Sequence, residues 1–273
     1  MTKPENIFKK ICRLAGKAVL DYNMIREGDR VLVALSGGKD SMVLLKVLRH
    51  LQGAAPISFT LLGATFDPMF PGFSAGETKE FCEKEGLEHH TISFDMETLL
   101  REKGLTSSPC MLCSRMRRGN LYTLAQKLEC NKIALGQHLD DICISFLMSL
   151  FRGNGLSTMG PNVPAKEHNV NVIRPLICVP EKWIMEYVNA VGLPERGECL
   201  YKEELRNSGD RAYFAALLKN LEKRIPEIRN NMLASLSNLE APHLLDKKFL
   251  SLPEKGEQTG KQNLTFPPEG EQE

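Results

Sequence analysis

Hydrophobic residues along the chain follow two kinds of spacing. Short runs rich in β-branched and other apolar residues predict strands, and apolar residues repeated every three or four positions predict helices between them. The predicted strands span 30–36, 57–66, 87–94, 132–136 and 169–176. The predicted helices span 7–22, 41–52, 75–86, 114–129 and 139–151, with two or three more between 180 and 240.

This alternation of strands and helices predicts the class of fold. It favours right-handed βαβ units and therefore an α/β fold, with a five-stranded parallel sheet and helices on both faces. Ligands of such sheets bind beyond the carboxyl ends of the strands. The segments 36–41, 65–74 and 136–141 each follow a predicted strand. We therefore expect these three segments to meet at one site.

Composition adds information mainly at the C-terminal end. The 273 residues are 42% hydrophobic and 25% charged, which is typical of globular proteins. Residues 251–273 contain five Glu and two Lys, a net charge of −3, so the remaining chain has +1 − (−3) = +4. Because this segment has few large apolar residues, we expect it to be disordered. The predicted units are an N-terminal helix (1–27), an α/β domain (28–180), a helical C-terminal part (181–250) and the tail (251–273).

The eight cysteines are expected to lie in a reducing environment. No apolar stretch approaches the roughly 20 residues of a membrane span, and the first residues lack the pattern of a secretory signal. We therefore expect a cytoplasmic protein with no membrane partner, whose eight cysteines act as metal ligands or in chemistry rather than in disulfides. Cys12, Cys82 and Cys143 fall in helical patterns and are expected to be buried as small apolar side chains.

The segment SGGKDS, residues 36–41, separates a predicted strand from a predicted helix. Its glycines let the backbone approach a ligand closely, and the N-terminus of the helix favours an anion. Ser36 and Ser41 add hydroxyl groups and Lys39 adds a positive charge, so the segment predicts a phosphate-binding loop. An ordinary turn capped by Ser41 is a second interpretation, which a glycine pair alone would favour. The segment lacks the glycine spacing of the loop that ends in Gly-Lys-Ser or Gly-Lys-Thr.

SGGKDS resembles the loop of the ATP pyrophosphatase superfamily, the PP-loop proteins, which cleave ATP between its α and β phosphates. The resemblance implies that the loop binds the pyrophosphate of ATP with Mg²⁺, that Lys39 and Ser41 contact phosphates, and that Asp40 orients the loop or a metal-bound water. The segment 64–67 is expected to lie against adenine. The expected ATP contacts are Ser36, Gly37, Gly38, Lys39, Asp40, Ser41, Ala64, Phe66 and Gly136.

Two acidic residues, Asp140 and Asp141, begin a predicted helix. Such residues often cap a helix, and for one of them this interpretation is as strong as a functional one. A carboxylate pair at the mouth of the expected site can also bind a metal or transfer a proton. We therefore count both aspartates as catalytic candidates, together with Lys39 and Asp40.

Cys110 and Cys113 form a C-x-x-C pair. Such a pair occurs in redox dithiols, in zinc sites and in iron–sulfur sites. A zinc site needs four ligands, and the sequence contains no second C-x-x-C pair. His89 and His90 could complete a zinc site, but they lie in a strand pattern, which favours a structural role.

A longer series of motifs resembles the tRNA two-thiocytidine synthetases, which make 2-thiocytidine in the anticodon loop of tRNA. The shared motifs run from about Gly28 to Asp246, and in order they are SGGKDS, PGF (71–73), CMLCSRMRRG, IALGQHLDD, IRPL and PHLLD (242–246). The resemblance implies that Cys110, Cys113 and Cys199 hold a [4Fe–4S] cluster in which one iron has no protein ligand. It also implies adenylation of a cytidine carbonyl, a sulfur donor such as a cysteine desulfurase or free sulfide, and a homodimer.

Some positions depart from the pattern of that family. Gln137 stands where the family has the first of two histidines, and Leu139 replaces a common arginine. The substrate could therefore be another nucleotide or a small molecule. Arg115, Arg117 and Arg118 are expected to contact RNA phosphates, although arginines on one helix often form only a solvated face.

Two different functions compete with tRNA thiolation at the level of the sequence. One is an ATP-dependent ligase or amidating enzyme on the same fold, in which Cys110 and Cys113 would be structural. The other is a non-catalytic RNA-binding module, in which the loop would have lost its chemistry. The intact SGGKDS segment argues against the RNA-binding module.

Overall fold

The computed structural model describes residues 2–104, 109–165, 168–193 and 209–250. The strands are β1 (Arg30–Ala34), β2 (Thr60–Asp67), β3 (His89–Ser93), β4 (Lys132–Ala134), β5 (Asn162–Ala165) and β6 (Val170–Ile173). The helices are α1 (Lys3–Asp21), α2 (Lys39–Ala54), α3 (Gly76–Lys84), α4 (Met96–Glu102), α5 (Pro109–Lys127), α6 (Leu139–Phe151), α7 (Glu181–Val191), α8 (Asp210–Glu222) and α9 (Ile228–Leu236). None of the described helices is both long and apolar enough to cross a membrane.

The six strands form one sheet in the order β3-β2-β1-β4-β6-β5. All neighbouring strands run parallel except β5, which is antiparallel to β6. The chain proceeds from β1 outward to β3 and then returns to β4, on the other side of β1. The strand order therefore reverses between β1 and β4, and this is the position where open α/β sheets bind ligands.

The α/β class with a mostly parallel sheet is confirmed, but the prediction of five strands is wrong. The additional strand is β5, whose four residues Asn162–Ala165 include Pro164. Proline cannot donate a ladder hydrogen bond, and its presence argues against a strand in a sequence pattern. A proline is tolerated here because β5 is at the edge of the sheet. Two helices also differ, since α4 was not predicted and α5 begins at Pro109 instead of 114.

Both faces of the sheet are covered because successive side chains of a strand point to opposite sides. Leu32 of β1 and Leu62 of β2 pack with Leu121 and Ala125 of α5 in one buried cluster. On the other side α1, α2 and α7 contact one another, and α2 also contacts β1. The packing of α1 against α7 and α2 attaches the N-terminal helix to the α/β unit. Together, the two layers hold α2 and α5 on opposite faces of the sheet.

The cysteines predicted to be buried in helices are buried. Cys12 has 5% of its surface exposed, and Cys82 and Cys143 have none. Burial raises the pKa of each of these three thiols to about 12, with smaller contributions from neighbouring charges at Cys82 and Cys143. These side chains therefore remain protonated and act as small apolar groups.

In the described part of the chain, the residues from Ala234 onward form a second compact unit. Its described part contains two short 3₁₀ turns, Ala241–His243 and Lys247–Phe249. The motif PHLLD falls within this unit. The predicted disorder of 251–273 concerns residues outside the described part of the chain, and it stays a prediction.

Candidate active site

The PP-loop, residues 36–41, joins β1 to α2 and is shaped by its own serines. Ser41 Oγ donates a hydrogen bond to Gly38 O (2.8 Å) and accepts one from Ser36 N (3.2 Å). Gly37 has a φ of 79°, a conformation that glycine adopts without strain. Gly38 is the N-cap of α2 and has no side chain with which to cap it. The N-terminal end of α2 therefore offers a favourable position for an anion at the carboxyl end of the sheet.

Lys39 lies between two carboxylates. Its Nζ is 2.9 Å from Oε1 of Glu181, which is in the first turn of α7, and 3.2 Å from Oδ2 of Asp40. Only 11% of the Lys39 side chain is exposed. Burial alone would lower the pKa of Lys39, but Asp40 and Glu181 outweigh it and raise this pKa above its ordinary value. The ammonium group is therefore charged when a phosphate arrives.

Asp40, His138 and Glu181 form a small cluster of possible metal ligands. One ligand atom from each residue lies within 4.8 Å of the others. The buried Oδ1 of Asp40 has no hydrogen-bond partner, and His138 Nε2 is 3.8 Å from it. Carboxylate oxygens are the ligands that Mg²⁺ prefers. The cluster therefore offers two carboxylates to a hard cation, directly beside the PP-loop.

Gly136, which follows β4, lies directly against the PP-loop. A Cβ atom on Gly136 would be 3.0 Å from the backbone C and O atoms of Asp40 and from the backbone N of Ser41. These neighbours are main-chain atoms, so they cannot rotate away as a side chain could. The segment after β4 thus supports the PP-loop from the side where the strand order reverses.

The two aspartates at the start of α6 have different surroundings. Asp141 accepts a hydrogen bond from His138 N (3.1 Å), which caps α6, and it pairs with Arg211 of α8. Asp140 accepts a hydrogen bond from Glu181 N (2.8 Å) at the start of α7 and pairs with Arg229. Asp141 also lines the cavity beside the PP-loop, whereas Asp140 lines a separate small pocket. The structure therefore brings one of the two predicted catalytic aspartates to the cavity.

The cavity beside the PP-loop has a volume of about 600 Å³. Several predicted ATP contacts line it, on the PP-loop, at the end of β2 and after β4. The predicted contacts that line it are Ser36, Asp40, Ser41, Ala64, Phe66 and Gly136.

The opposite wall of the cavity is formed by α5. Arg117 and Arg118 line the cavity, whereas Arg115 is exposed and does not. Two of the three predicted RNA contacts therefore face the same space as the PP-loop. The expectation that they bind RNA stays a prediction.

Cys110 and Cys113 lie in the first turns of α5. Residues three apart lie on the same face of a helix, so one bound group can contact both sulfur atoms. Cys113 is buried with Phe66 and Phe70 of the β2 segment, and Cys110 is partly exposed. The third predicted ligand, Cys199, lies outside the described residues.

Comparison with known proteins identifies the family of the chain. Residues 6–194 match the family model described as the PP-loop domain. A protein of Syntrophotalea carbinolica named tRNA-cytidine(32) 2-sulfurtransferase is 39% identical over 89% of this chain and 93% of its own length. The chain belongs to the tRNA-cytidine(32) 2-sulfurtransferase family of PP-loop proteins. A protein of the same name from Geobacter sulfurreducens is also 39% identical, over 90% of this chain and 95% of the Geobacter protein.

A solved structure supports the fold of this sulfurtransferase family member. The U34-tRNA thiolase NcsA of Methanococcus maripaludis, a structure that contains a [4Fe-4S] cluster, aligns with a TM-score of 0.69. The alignment covers 87% of this chain and 81% of the thiolase, with 24% sequence identity. The resemblance stated from the motifs is thus confirmed at the level of family and fold.

The structure adds site residues that the sequence did not indicate. Glu181 lies 142 positions from Lys39 yet binds its ammonium group. Arg174, within the IRPL motif, lines the cavity with Arg118. The IRPL motif could have drawn attention to Arg174, but no local pattern identifies Glu181.

Proposed function

We propose that the protein is an ATP-dependent tRNA sulfurtransferase, which adenylates the O2 carbonyl of a cytidine and replaces that oxygen with sulfur to form 2-thiocytidine. The observation that carries the proposal is the shared cavity, which is bordered by the PP-loop and by the helix that begins with Cys110 and Cys113. The relatives at 39% identity support the choice of a tRNA cytidine as substrate.

The PP-loop would bind the pyrophosphate part of ATP. Its amide groups and the N-terminus of α2 favour an anion, and Lys39 would exchange its contacts with Asp40 and Glu181 for contacts with phosphate oxygens. These groups stabilise the negative charge that develops on the leaving pyrophosphate. Adenine would lie against Ala64 and Phe66, at the end of β2.

Asp40 and Glu181 are the best candidates for binding the Mg²⁺ that accompanies ATP. Their carboxylates become available when Lys39 turns toward the phosphates, and hard oxygen ligands suit this ion. His138 would orient Asp40 from a buried position, since its Nε2 lies 3.8 Å from Asp40 Oδ1. Asp141, which also lines the cavity, would act on a proton or a metal-bound water.

Two chemical steps follow from this arrangement. The cytosine O2 attacks the α phosphate of ATP, the bond between the α and β phosphates breaks, and pyrophosphate leaves. Sulfur then forms a bond to C2, the C2–O bond breaks, and AMP leaves with the original oxygen. AMP is a good leaving group because it takes the oxygen as a phosphate monoester.

Cys110 and Cys113 fit two ligands of a [4Fe–4S] cluster. They are three residues apart in the first turns of one helix, which suits a shared metal group, and Cys113 is shielded from water. Cys199 is the proposed third ligand. A bound cluster would supply the sulfur-transfer chemistry. The sulfur donor would be a cysteine desulfurase or free sulfide, and the reaction would take place in the cytoplasm, in a homodimer as the family resemblance implies.

The test begins with anaerobic purification and measurement of iron, sulfide and visible absorbance. The protein is then incubated with Mg²⁺, ATP, sulfide and a tRNA transcript that has cytidine at position 32. After nuclease digestion, mass spectrometry should detect 2-thiocytidine, and AMP and pyrophosphate should appear in equal amounts. A protein that contains no iron and joins an amine to its substrate would contradict the proposal and would support an ATP-dependent ligase.

A further inference from the structure

Arg174 is a partly buried arginine whose charge has no evident structural use. It directly follows β6, its Nε donates a hydrogen bond to Gln137 Oε1, and its Nη1 donates one to Gly160 O. Both acceptors are neutral. Burial lowers the pKa of Arg174, Tyr122 partly opposes this effect, and the positive charge of Arg118 reinforces it. The guanidinium group is thus a cation in unfavourable surroundings.

Some other arginines of the described chain have carboxylate partners. Arg229 pairs with Asp140 and Glu222, and Arg152 pairs with Asp210. In the parts of the chain that the structure describes, no carboxylate pairs with Arg174. A guanidinium group stays protonated even when burial is unfavourable, so it needs an anion. An unpaired cation that lines a cavity therefore indicates an anionic ligand.

The position of Arg174 in the sheet separates it from the PP-loop. The PP-loop follows β1, and Arg174 follows β6, with β4 between these two strands. Two strand spacings correspond to roughly 10 Å. The proposed adenine wall at the end of β2 lies on the opposite side of β1. An ATP molecule that extends from the start of α2 to the end of β2 would therefore lie on the side of the PP-loop that is farther from Arg174.

Arg118 approaches the same region from the other wall. It belongs to α5, whose first turns contain Cys110 and Cys113, and both Arg118 and Arg174 line the cavity. Two guanidinium groups near one another match the chemistry of a phosphate group, which accepts several hydrogen bonds from each. An anion between them would relieve their mutual repulsion.

We propose that Arg174 and Arg118 form a second phosphate subsite, which binds a phosphodiester of the RNA beside the cytidine that is modified. This inference rests on the proposed function and adds to it the contact that holds the substrate nucleotide in the cavity. Gln137 orients Arg174 through the hydrogen bond to its Nε. The subsite fixes the position of the nucleotide, and the PP-loop acts on ATP.

The experiment measures binding of a tRNA transcript with cytidine at position 32 by the anaerobic holoenzyme, without ATP, over a series of salt concentrations. The variants are Arg174→Gln, Arg118→Gln and the double variant. Each single change should raise the Kd for tRNA about tenfold and reduce the salt slope by roughly 0.7, the contribution of one phosphate contact in single-stranded RNA. The Kd of Arg174→Lys for tRNA should lie between those of wild type and Arg174→Gln, because lysine keeps the positive charge but lacks the planar guanidinium group. The Kd for ATP should stay within about twofold of wild type, since the subsite lies apart from the PP-loop.

Arg101→Gln is the matched control, because Arg101 is exposed on α4 and paired with Glu97. It should leave both affinities unchanged. The melting temperature of Arg174→Gln should equal or exceed that of wild type, since an unpaired cation is removed. If Arg174 had a structural role, Arg174→Gln would instead have a lower melting temperature than wild type. If Arg174→Gln fails to fold, Arg118→Gln carries the test alone, because Arg118 is exposed.

Two results would overturn the inference. One is unchanged tRNA affinity and salt slope in both single variants. The other is weaker ATP binding with normal tRNA binding, which would assign the two arginines to the phosphates of ATP. Failure of the proposed function is a separate outcome, because the wild-type protein itself would then neither bind nor thiolate the transcript.

Discussion

Gly136→Ala tests whether the close contact between the segment after β4 and the PP-loop is needed for ATP chemistry. The added Cβ would be 3.0 Å from three backbone atoms of Asp40 and Ser41. Carbon atoms pack favourably at about 3.5–4.0 Å, so the PP-loop must move by roughly half an ångström. Overpacking of this kind costs about 1–3 kcal/mol.

The displaced loop should also affect the reaction. A misplacement of about 1 Å can reduce a rate about 100-fold, so a shift of half that size is expected to lower kcat/KM for ATP roughly tenfold. The assay measures pyrophosphate release against ATP concentration with saturating tRNA, and a thermal melt measures stability. Both quantities should fall in Gly136→Ala.

Gly53→Ala is the matched control, because Gly53 lies in α2, the helix that begins at the PP-loop, and a Cβ there would meet no atom within 4 Å. Replacing a helical glycine with alanine should raise stability by up to about 1 kcal/mol and leave ATP kinetics unchanged. The reasoning would be refuted if Gly136→Ala matched wild type in both stability and kcat/KM.

Three further predictions concern other parts of the molecule. Lys39→Ala should keep the iron content of wild type and reduce AMP release by at least about 100-fold, because Lys39 stabilises the leaving pyrophosphate; iron analysis and AMP assays measure the two effects. Cys199→Ala should lose most of the bound iron after anaerobic purification while ATP binding persists. Cys178→Ala is the control, because Cys178 is a partly buried cysteine that is not a predicted cluster ligand, and it should lose neither iron nor ATP binding. His89 should make stability depend on pH: burial, with smaller contributions from His90 and Lys79, lowers its pKa from 6.5 to about 4. His89 therefore binds a proton more readily in the unfolded state than in the folded state. The free energy of unfolding should fall as the pH drops from about 6.5 to 4. Urea titrations across this pH range should show a shallower fall in His89→Gln than in wild type.

Specific outcomes would contradict each of these predictions. Loss of iron in Lys39→Ala would mean that the PP-loop and the cysteine pair do not act separately. A Cys199→Ala protein with a full cluster and normal thiolation would mean that the third ligand lies elsewhere. An equally steep loss of stability at low pH in His89→Gln would assign the proton uptake to other groups.

The sequence predicted the fold and the PP-loop well because both depend on local patterns. Alternating apolar runs indicate which segments form strands. The motif SGGKDS, between a strand and a helix, is a specific indication of a phosphate-binding loop. The edge strand β5 was missed because Asn162–Ala165 is short and contains a proline, and its pairing with β6 depends on tertiary context.

Contacts between distant segments could not be predicted in the same way. Glu181 reaches Lys39 only because α7 packs against α1 and α2, which orients its first turn toward the PP-loop. The unpaired charge of Arg174 likewise becomes evident only when its neighbours are known. Sequence motifs identify such residues as unusual, but the folded chain determines their partners.

The edge strand β5 limits how the molecule can associate with other chains. Arg174 N donates to Pro161 O, and hydrogen-bonded pairs alternate along an antiparallel ladder. The nitrogen of Pro164 therefore faces outward, where it has no hydrogen to offer to an added strand. Edges of this kind resist strand-by-strand aggregation. Since Pro164 also lines the cavity, strand addition is disfavoured at the rim of the site, and a partner strand would find the other edge of the sheet at β3.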